Sequence, residues 1–399
     1  MQVDLDRLGF DEGGHLLVKR ALRCGSVGEE IRVTGSGPEL ESHLRAWCRS
    51  EGHSFRWVAD SVPHSHAVIT RGGAEAARWT GSERAGEPSA SQPEAVVEHA
   101  PRRWGLAARG ARVEAGSPEF GFTLVDKIEV WSGDAARIYA QAAAAQWDPQ
   151  TAVPWSAEFN LPDEVEDAVV QVMTYLIENE TAALIIPSRF IAQLHPHFRE
   201  VMQVLAIQAA DEARHIEVFT RRALLKRKEL GLSTSGGQAS LKTLVDEPDF
   251  AIASFLLSVL GEGTFLSLLW FIEHYAPDPV TAAVTRLAAQ DEARHVAFGL
   301  AHLREHIQAD SAVCSRLANS VRRRHDVLRH TAGLNAEVFD ALILMAAGSW
   351  EHTRLRDGHQ RVMQLTRDMD EGRQSRLKRL GFNEQEAAEL SSLHTRNFM

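Results

Sequence analysis

The pentapeptide Asp-Glu-Ala-Arg-His occurs twice in this chain, at Asp211–His215 and again at Asp291–His295. Both copies lie in stretches with helical periodicity, and in each copy Glu and His are three residues apart. On a helix that spacing puts both side chains on one face, where a carboxylate and an imidazole can reach one metal ion. Two such pairs predict two metals. A carboxylate-bridged pair of metals inside a four-helix bundle needs a Glu-x-x-His from each of two helices and one Glu from each of the other two.

The chain has candidates for the whole set. Four long helices are predicted at about Asp163 to Ile186, His197 to Glu229, Phe250 to Tyr275 and Pro279 to Gln308, with Pro187, Pro196, Gly231, Gly236-Gly237, Pro277 and Pro279 as breakers. On the second, Val201, Leu205, Gln208, Glu212, His215 and Phe219 form one seam; on the fourth, Val284, Ala288, Glu292, His295 and Gly299 do the same. The third helix carries Glu262 in a stripe with Phe255, Val259, Leu266 and Leu269, where an ionised carboxylate without a partner would be costly. In the first helix Glu178 and Glu180 compete. Glu180 is in register with Met173, Ile177 and Leu184, whereas Glu178 shares a more polar face with Gln171, Thr174 and Thr181, so Glu180 is the choice. The distance along the chain from single Glu to Glu-x-x-His is nearly the same in both halves, as in a duplicated helical hairpin. Carboxylates with two imidazoles and no thiolate suit iron or manganese better than zinc.

This doubled motif resembles the ferritin-like di-iron carboxylate superfamily, most of all its oxygen-activating members, over residues 160–310. The resemblance implies a ferritin-like four-helix bundle whose ligands are Glu180, Glu212, His215, Glu262, Glu292 and His295. It also implies that Asp211 and Asp291 each orient a metal-bound His across the bundle, with Arg214 and Arg294 neutralising that buried acid. Two departures narrow it. Where ribonucleotide reductase small subunits carry a radical Tyr, one turn after the first ligand His, this chain has Phe219. Where arylamine N-oxygenases carry an extra ligand His, it has Ala288.

The rest of the chain frames this bundle. Its 399 residues with 44% apolar content can bury a large core, and a net charge of −11 with scattered Lys and Arg argues against a nucleic-acid surface. Cys24, Cys48 and Cys314 form neither a disulfide framework nor a zinc knuckle, which fits a reducing compartment. The N-terminus lacks the regions of a secretion signal, and the apolar run Phe250 to Tyr275 holds Glu262 in its middle, so a cytoplasmic protein with no membrane span is expected.

Residues 2–72 alternate in the order βαβαββ, with strands at Gln2 to Asp6, Glu30 to Thr34, Ser54 to Ala59 and Ser65 to Arg71, and helices at Glu12 to Arg23 and Pro38 to Glu51. Together with Leu5-Asp6-x-x-Gly9-Phe10, Leu16-Leu17-Val18-Lys19 and Ala46-Trp47-Cys48-x-x-x-Gly52-His53, this resembles the small sulfur carriers of TusA/SirA type. That family opens its first helix with Cys-Pro-x-Pro; here Glu12, Gly13, Gly14 and His15 stand there, so persulfide relay is not supported and a docking or oligomerisation module is expected. The expected organisation is thus a TusA/SirA-like α/β domain at 1–72, a flexible linker at 73–118 in which Arg102, Arg103, Arg109 and Arg112 are solvated, and a mainly α di-metal domain with a C-terminal helical extension at 119–399. In that extension breaks fall near Gly333, Gly358 and Gly381, and Arg322-Arg323-Arg324 reads as a solvated helix face.

The function expected is that of an enzyme, a di-iron oxidoreductase that uses dioxygen to hydroxylate, N-oxygenate, desaturate or oxidatively cleave a small organic substrate. A manganese–iron pair is the alternative cofactor, and a ferritin-like iron-oxidising protein the alternative function. No Rossmann fingerprint, flavin motif or iron–sulfur cysteine set is present, so an external reductase or ferredoxin is the expected electron donor, and a homodimer a further expected partner.

Overall fold

The computed structural model describes residues 1–59, 65–74, 79–88, 95–329 and 336–395. The chain divides into two compact units, one formed by Met1–Ala85 with Gly110–Pro118 and one by Gly86–Arg109 with Glu119–Met399. The expected break at Gly333 and parts of the expected linker, 75–78 and 89–94, lie outside the described residues.

In the smaller unit strands β1 Gln2–Asp4, β2 Glu30–Thr34, β3 Ser54–Val58 and β4 His66–Thr70 form one sheet in the order β1-β2-β4-β3. β1 runs parallel to β2, and β4 is antiparallel to both β2 and β3. Helices α1 His15–Cys24 and α2 Leu40–Glu51 pack Val18, Leu22, Leu44 and Cys48 onto the sheet residues Ile31, Val33 and Ile69. Gly52 ends α2 at φ 75°, a left-handed conformation that a side chain would disfavour. Cys48 is buried, and burial pushes its thiol up to about 12; Cys24 is exposed. A short hairpin, β5 Glu83–Arg84 with β6 Arg112–Val113, completes the unit.

The larger unit is helical. Its helices longer than one turn are α3 Ala135–Ala144, α4 Asp163–Ile191, α5 Arg199–Ala223, α6 Ser235–Val245, α7 Phe250–His274, α8 Pro279–Ala309, α9 Ala312–Leu328, α10 Ala336–Ala347, α11 His352–Arg379 and α12 Glu384–Thr395. α4 packs on α5 and α7 on α8 as two hairpins, and α5 meets α8. The protein is therefore mainly α, with a four-helix bundle, extra helices and a small preceding α/β unit. Among the described residues two helices, α4 and α7, are long and apolar enough to cross a membrane; 67% and 83% of their apolar windows are buried inside the structure.

Several breakers act differently from expectation. Pro187 lies inside α4, which runs on to bury Phe190, and Ser188 returns a hydrogen bond to the Leu184 carbonyl. Gly236 and Gly237 start α6, where Thr234 accepts from the Gly237 N–H, so they form a capped first turn. Gly358 lies inside α11, where a Cβ would come within 2.5 Å of the Ile343 carbonyl of α10. Small size at a helix crossing, not chain reversal, explains that glycine.

The described part of 86–109 is built into the helical unit rather than left in solvent. Val96, Ala100 and Trp104 are buried, the Val97 N–H donates to His197 Nε2, and the Arg109 guanidinium donates to both Glu200 carboxylate oxygens at 2.9 and 2.6 Å. Arg324 is buried as well, donating to Thr243 Oγ1 and Ser240 Oγ, so the Arg322-Arg323-Arg324 run is not a uniformly solvated face.

His302 on α8 gives the helical unit a pH response. Its ring packs on Phe250 and Phe298 at 5.0 and 6.1 Å, and Nε2 meets the Glu129 carbonyl at 2.8 Å. Burial pushes the imidazole down to about 4, partly offset by that carbonyl. The unfolded ring takes a proton near 6.5, so its contribution is complete above that pH and is lost as the pH falls towards 4. An interval of that width corresponds to roughly 3 kcal/mol. Urea unfolding at pH 7.5 and pH 5 should show a smaller acid loss in His302→Phe than in the parent; equal losses would contradict this.

Candidate metal centre

Glu180 from α4, Glu212 and His215 from α5, Glu262 from α7, and Glu292 and His295 from α8 converge in the core of the bundle, all at most 5% exposed. They form two overlapping groups able to hold a metal, one of Glu180, Glu212, His215 and Glu292, the other of Glu212, Glu262, Glu292 and His295. Glu212 and Glu292 belong to both. Glu212 places Oε2 3.3 Å from His215 Nδ1 and Oε1 3.0 Å from His295 Nδ1. Glu292 does likewise, with Oε1 3.5 Å from His215 Nδ1 and Oε2 3.4 Å from His295 Nδ1. Each Glu-x-x-His glutamate thus spans both halves, where the spacing alone suggested one metal per pair.

The two imidazoles present Nδ1 to the cluster because Nε2 is occupied on the far side. His215 Nε2 is 3.1 Å from Asp291 Oδ2, and His295 Nε2 is 3.3 Å from Asp211 Oδ2, so each aspartate serves the histidine of the other helix. Arg214 donates to Asp211 and Asp291, and Arg294 to Asp291. These contacts hold both aspartates below the usual carboxylate range although burial alone would raise them.

Gln146 and Trp147 complete this outer ring, and sequence reasoning missed them. Gln146 Nε2 donates to Asp211 Oδ1 and Trp147 Nε1 to Asp291 Oδ2, both at 2.8 Å. Neither residue stands at a ligand spacing, so no motif marks either of them. Gln208, already in the α5 seam, donates Nε2 to Glu262 Oε1 at 2.8 Å. Glu178 is half-buried and lines a groove between α4 and α6 with Thr181, Ile185 and Lys242, so it is not part of the cluster. Among the other histidines, His195 and His197 are buried and His352 and His359 exposed.

The donor set fits metal ions. Glu180 Oε1, both oxygens of Glu212 and of Glu292, Glu262 Oε2, and Nδ1 of His215 and His295 are buried without any hydrogen-bond partner. Buried polar atoms are nearly always paired, so this many facing one another call for cations between them. Burial, then the charges of Glu212 and Glu292, push the Glu180 carboxyl up; burial, then Glu292, push up Glu262. His215 is raised against its burial by its hydrogen bond to Asp291 and by the carboxylates of Glu180, Glu212 and Glu292 close to its Nδ1, His295 by the charges of Glu212 and Glu292.

A cavity of about 20 Å³, roughly one water molecule in size, adjoins the carboxylates of Glu180, Glu262 and Glu292. Its other walls are the amide of Asn179, whose Oδ1 is buried without a partner, and apolar groups that include Ala182, Ala183, Leu257 and Phe265. Phe219 is fully buried with its ring 6.2 Å from that of His215.

No protein-family model matches this chain, and no curated protein does. Solved structures with similarity to it include an R2-like ligand-binding oxidase with aerobically reconstituted Mn/Fe cofactor, at 17% identity and TM-score 0.42, covering 66% of this chain and 92% of the other. A second form of such an oxidase, after photoconversion, gives the same identity, coverage and TM-score. A point variant with anaerobically reconstituted Mn/Fe cofactor gives 18% identity and TM-score 0.43, covering 63% and 93%. At this distance the centre stands on its own geometry.

Proposed function

We propose that this chain is a non-haem oxidoreductase that binds two iron ions, or a manganese–iron pair, and uses dioxygen to oxidise a small organic substrate. The observation that carries the reading is the set of unpartnered, buried carboxylate and imidazole atoms bridged by Glu212 and Glu292. Glu180 and His215 would hold one ion, Glu262 and His295 the other. When bound, such a pair supplies electrons and Lewis acidity for reaction with dioxygen.

The protein's own residues do the rest. Asp211 and Asp291 fix the rings by accepting from Nε2, which leaves Nδ1 free to ligate. Gln208 steadies one oxygen of Glu262 and leaves the other unpartnered. Ala182, Ala183, Leu257 and Phe265 make most of the adjoining cavity apolar, with Asn179 the one uncharged polar side chain in its lining, which limits water beside the carboxylates. Phe219 offers no phenol for a stable radical, which favours oxidation of a bound substrate over radical storage. Electrons for repeated turnover come, on this reading, from an external reductase or ferredoxin.

The test is anaerobic loading with two equivalents of Fe(II), then oxygen, followed by stopped-flow absorbance. A transient whose decay quickens with an added organic substrate is expected. Direct growth of a ferric mineral core would favour iron handling instead, and absence of iron uptake would remove the reading.

A further inference from the structure

We infer that Arg376, far along the chain on α11, is a positioning residue for Glu262: it holds open the π-helical stretch of α7 that aims this carboxylate into the centre. The inference rests on the metal-centre reading above. α7 is α-helical at Phe250–Ser254, becomes π-helical at Phe255–Glu262 and returns to α at Gly263–His274. The π stretch ends on Glu262. An α-helix would give the Gly263 N–H to the Val259 carbonyl; here it goes to the carbonyls of Gly261, Leu260 and Ser258. The Val259 carbonyl takes Arg376 Nε instead, at 2.7 Å.

Two further observations make this a built contact. Gly263, directly after Glu262, leaves the space that Arg376 fills: a Cβ there would lie 2.3 Å from Arg376 Nε and 2.6 Å from Cζ. The guanidinium is also half-buried with no acid to pair it: among the described residues none lies within ion-pair distance of Arg376, and its Nη2 is buried without a hydrogen-bond partner. Burial, then the charges of Arg373 and Arg379, push the guanidinium down to about 10. Arg373, one turn earlier on α11, reinforces the same segment by donating to Thr264 Oγ1, which in turn donates to the Leu260 carbonyl.

A π-helical turn carries one extra residue and shifts every later side chain around the axis, so it persists where something binds the carbonyls it frees. If Arg376 leaves, the stretch can relax toward α geometry and rotate Glu262 away from His295 and Glu292. Glu262 belongs to only one of the two ligand groups, so the loss should fall on one metal ion.

The test is titration of the full-length protein with Co(II), followed by visible absorption, with hydrogen exchange over 255–264 on the metal-free form. Arg376→Met should bind the first equivalent as the parent does and the second about 10- to 100-fold more weakly, with an altered spectrum for that ion. Arg376→Lys, which keeps a donor, should restore much of the second. Gly263→Ala should reproduce the defect by displacing Arg376, and serves if Arg376→Met does not fold. Exchange at 255–264 should quicken in both defective variants. Unchanged exchange, or a second Co(II) bound as in the parent whatever the melting temperature, would reduce Arg376 to a packing group and overturn the inference. A parent protein that binds no Co(II) would overturn the metal-centre reading itself.

Discussion

Glu212→Ala should strip both metal ions from the chain, whereas Glu180→Ala should weaken mainly one and Glu178→Ala neither. The difference follows from where each carboxylate stands. Glu212 offers one oxygen to the His215 side and the other to the His295 side, so its removal opens both groups. Glu180 belongs to the His215 group alone, and its Oε2 lies 3.7 Å from His215 Nδ1. Glu178 faces a groove outside the cluster. Metal content after loading and desalting, measured on variants with unchanged helical circular dichroism, should read close to none, near one and two per chain. If Glu212→Ala retains one tightly bound ion, the two Glu-x-x-His pairs act as separate sites and the bridging geometry is wrong.

Arg222→Met should cost about 3–5 kcal/mol of stability, the usual penalty for leaving buried charges without their partner. Arg222 on α5 is fully buried and donates to Glu166 of α4 at 2.6 Å, to Asp278 at 2.8 Å and to Thr281 of α8 at 2.8 Å. Asp278 also caps α8, accepting from the backbone N–H groups of Val280 and Thr281. One guanidinium therefore ties three of the four bundle helices together close to the start of the helix that carries Glu292 and His295. Losing it strands two carboxylates in the core. Chemical unfolding of the metal-free proteins measures the difference directly; a change below about 1 kcal/mol would mean that water reaches these groups.

How much of this was legible in the sequence depends on how local each cause is. The Glu-x-x-His spacing and the apolar seams are local, so six side chains on four helices could be named before their meeting was seen. The choice of Glu180 over Glu178 was local too, since two residues on a helix point to different faces. Sharing of Glu212 and Glu292 was not, because it depends on where the opposite helix puts its histidine. Gln146 and Trp147 were missed for the same reason: a segment outside the bundle folds back on Asp211 and Asp291, and nothing periodic marks it. Glycines and prolines misled where packing overrode propensity, as at Pro187 within α4 and at Gly358 beneath the Ile343 carbonyl. Arg109 was read as solvated from its Gly- and Arg-rich surroundings, yet its side chain is 2% exposed against Glu200. The π stretch of α7 has no sequence signature, for its reason lies in Arg376.

The most direct test of the account is a crystal structure of the protein loaded with manganese and iron, with anomalous maps at both metal edges. Two peaks per chain are predicted, each on Nδ1 of one histidine, with Glu212 and Glu292 reaching both, Glu180 beside His215 and Glu262 beside His295. A single peak, ligation through Nε2, or metal found away from these six side chains would contradict it.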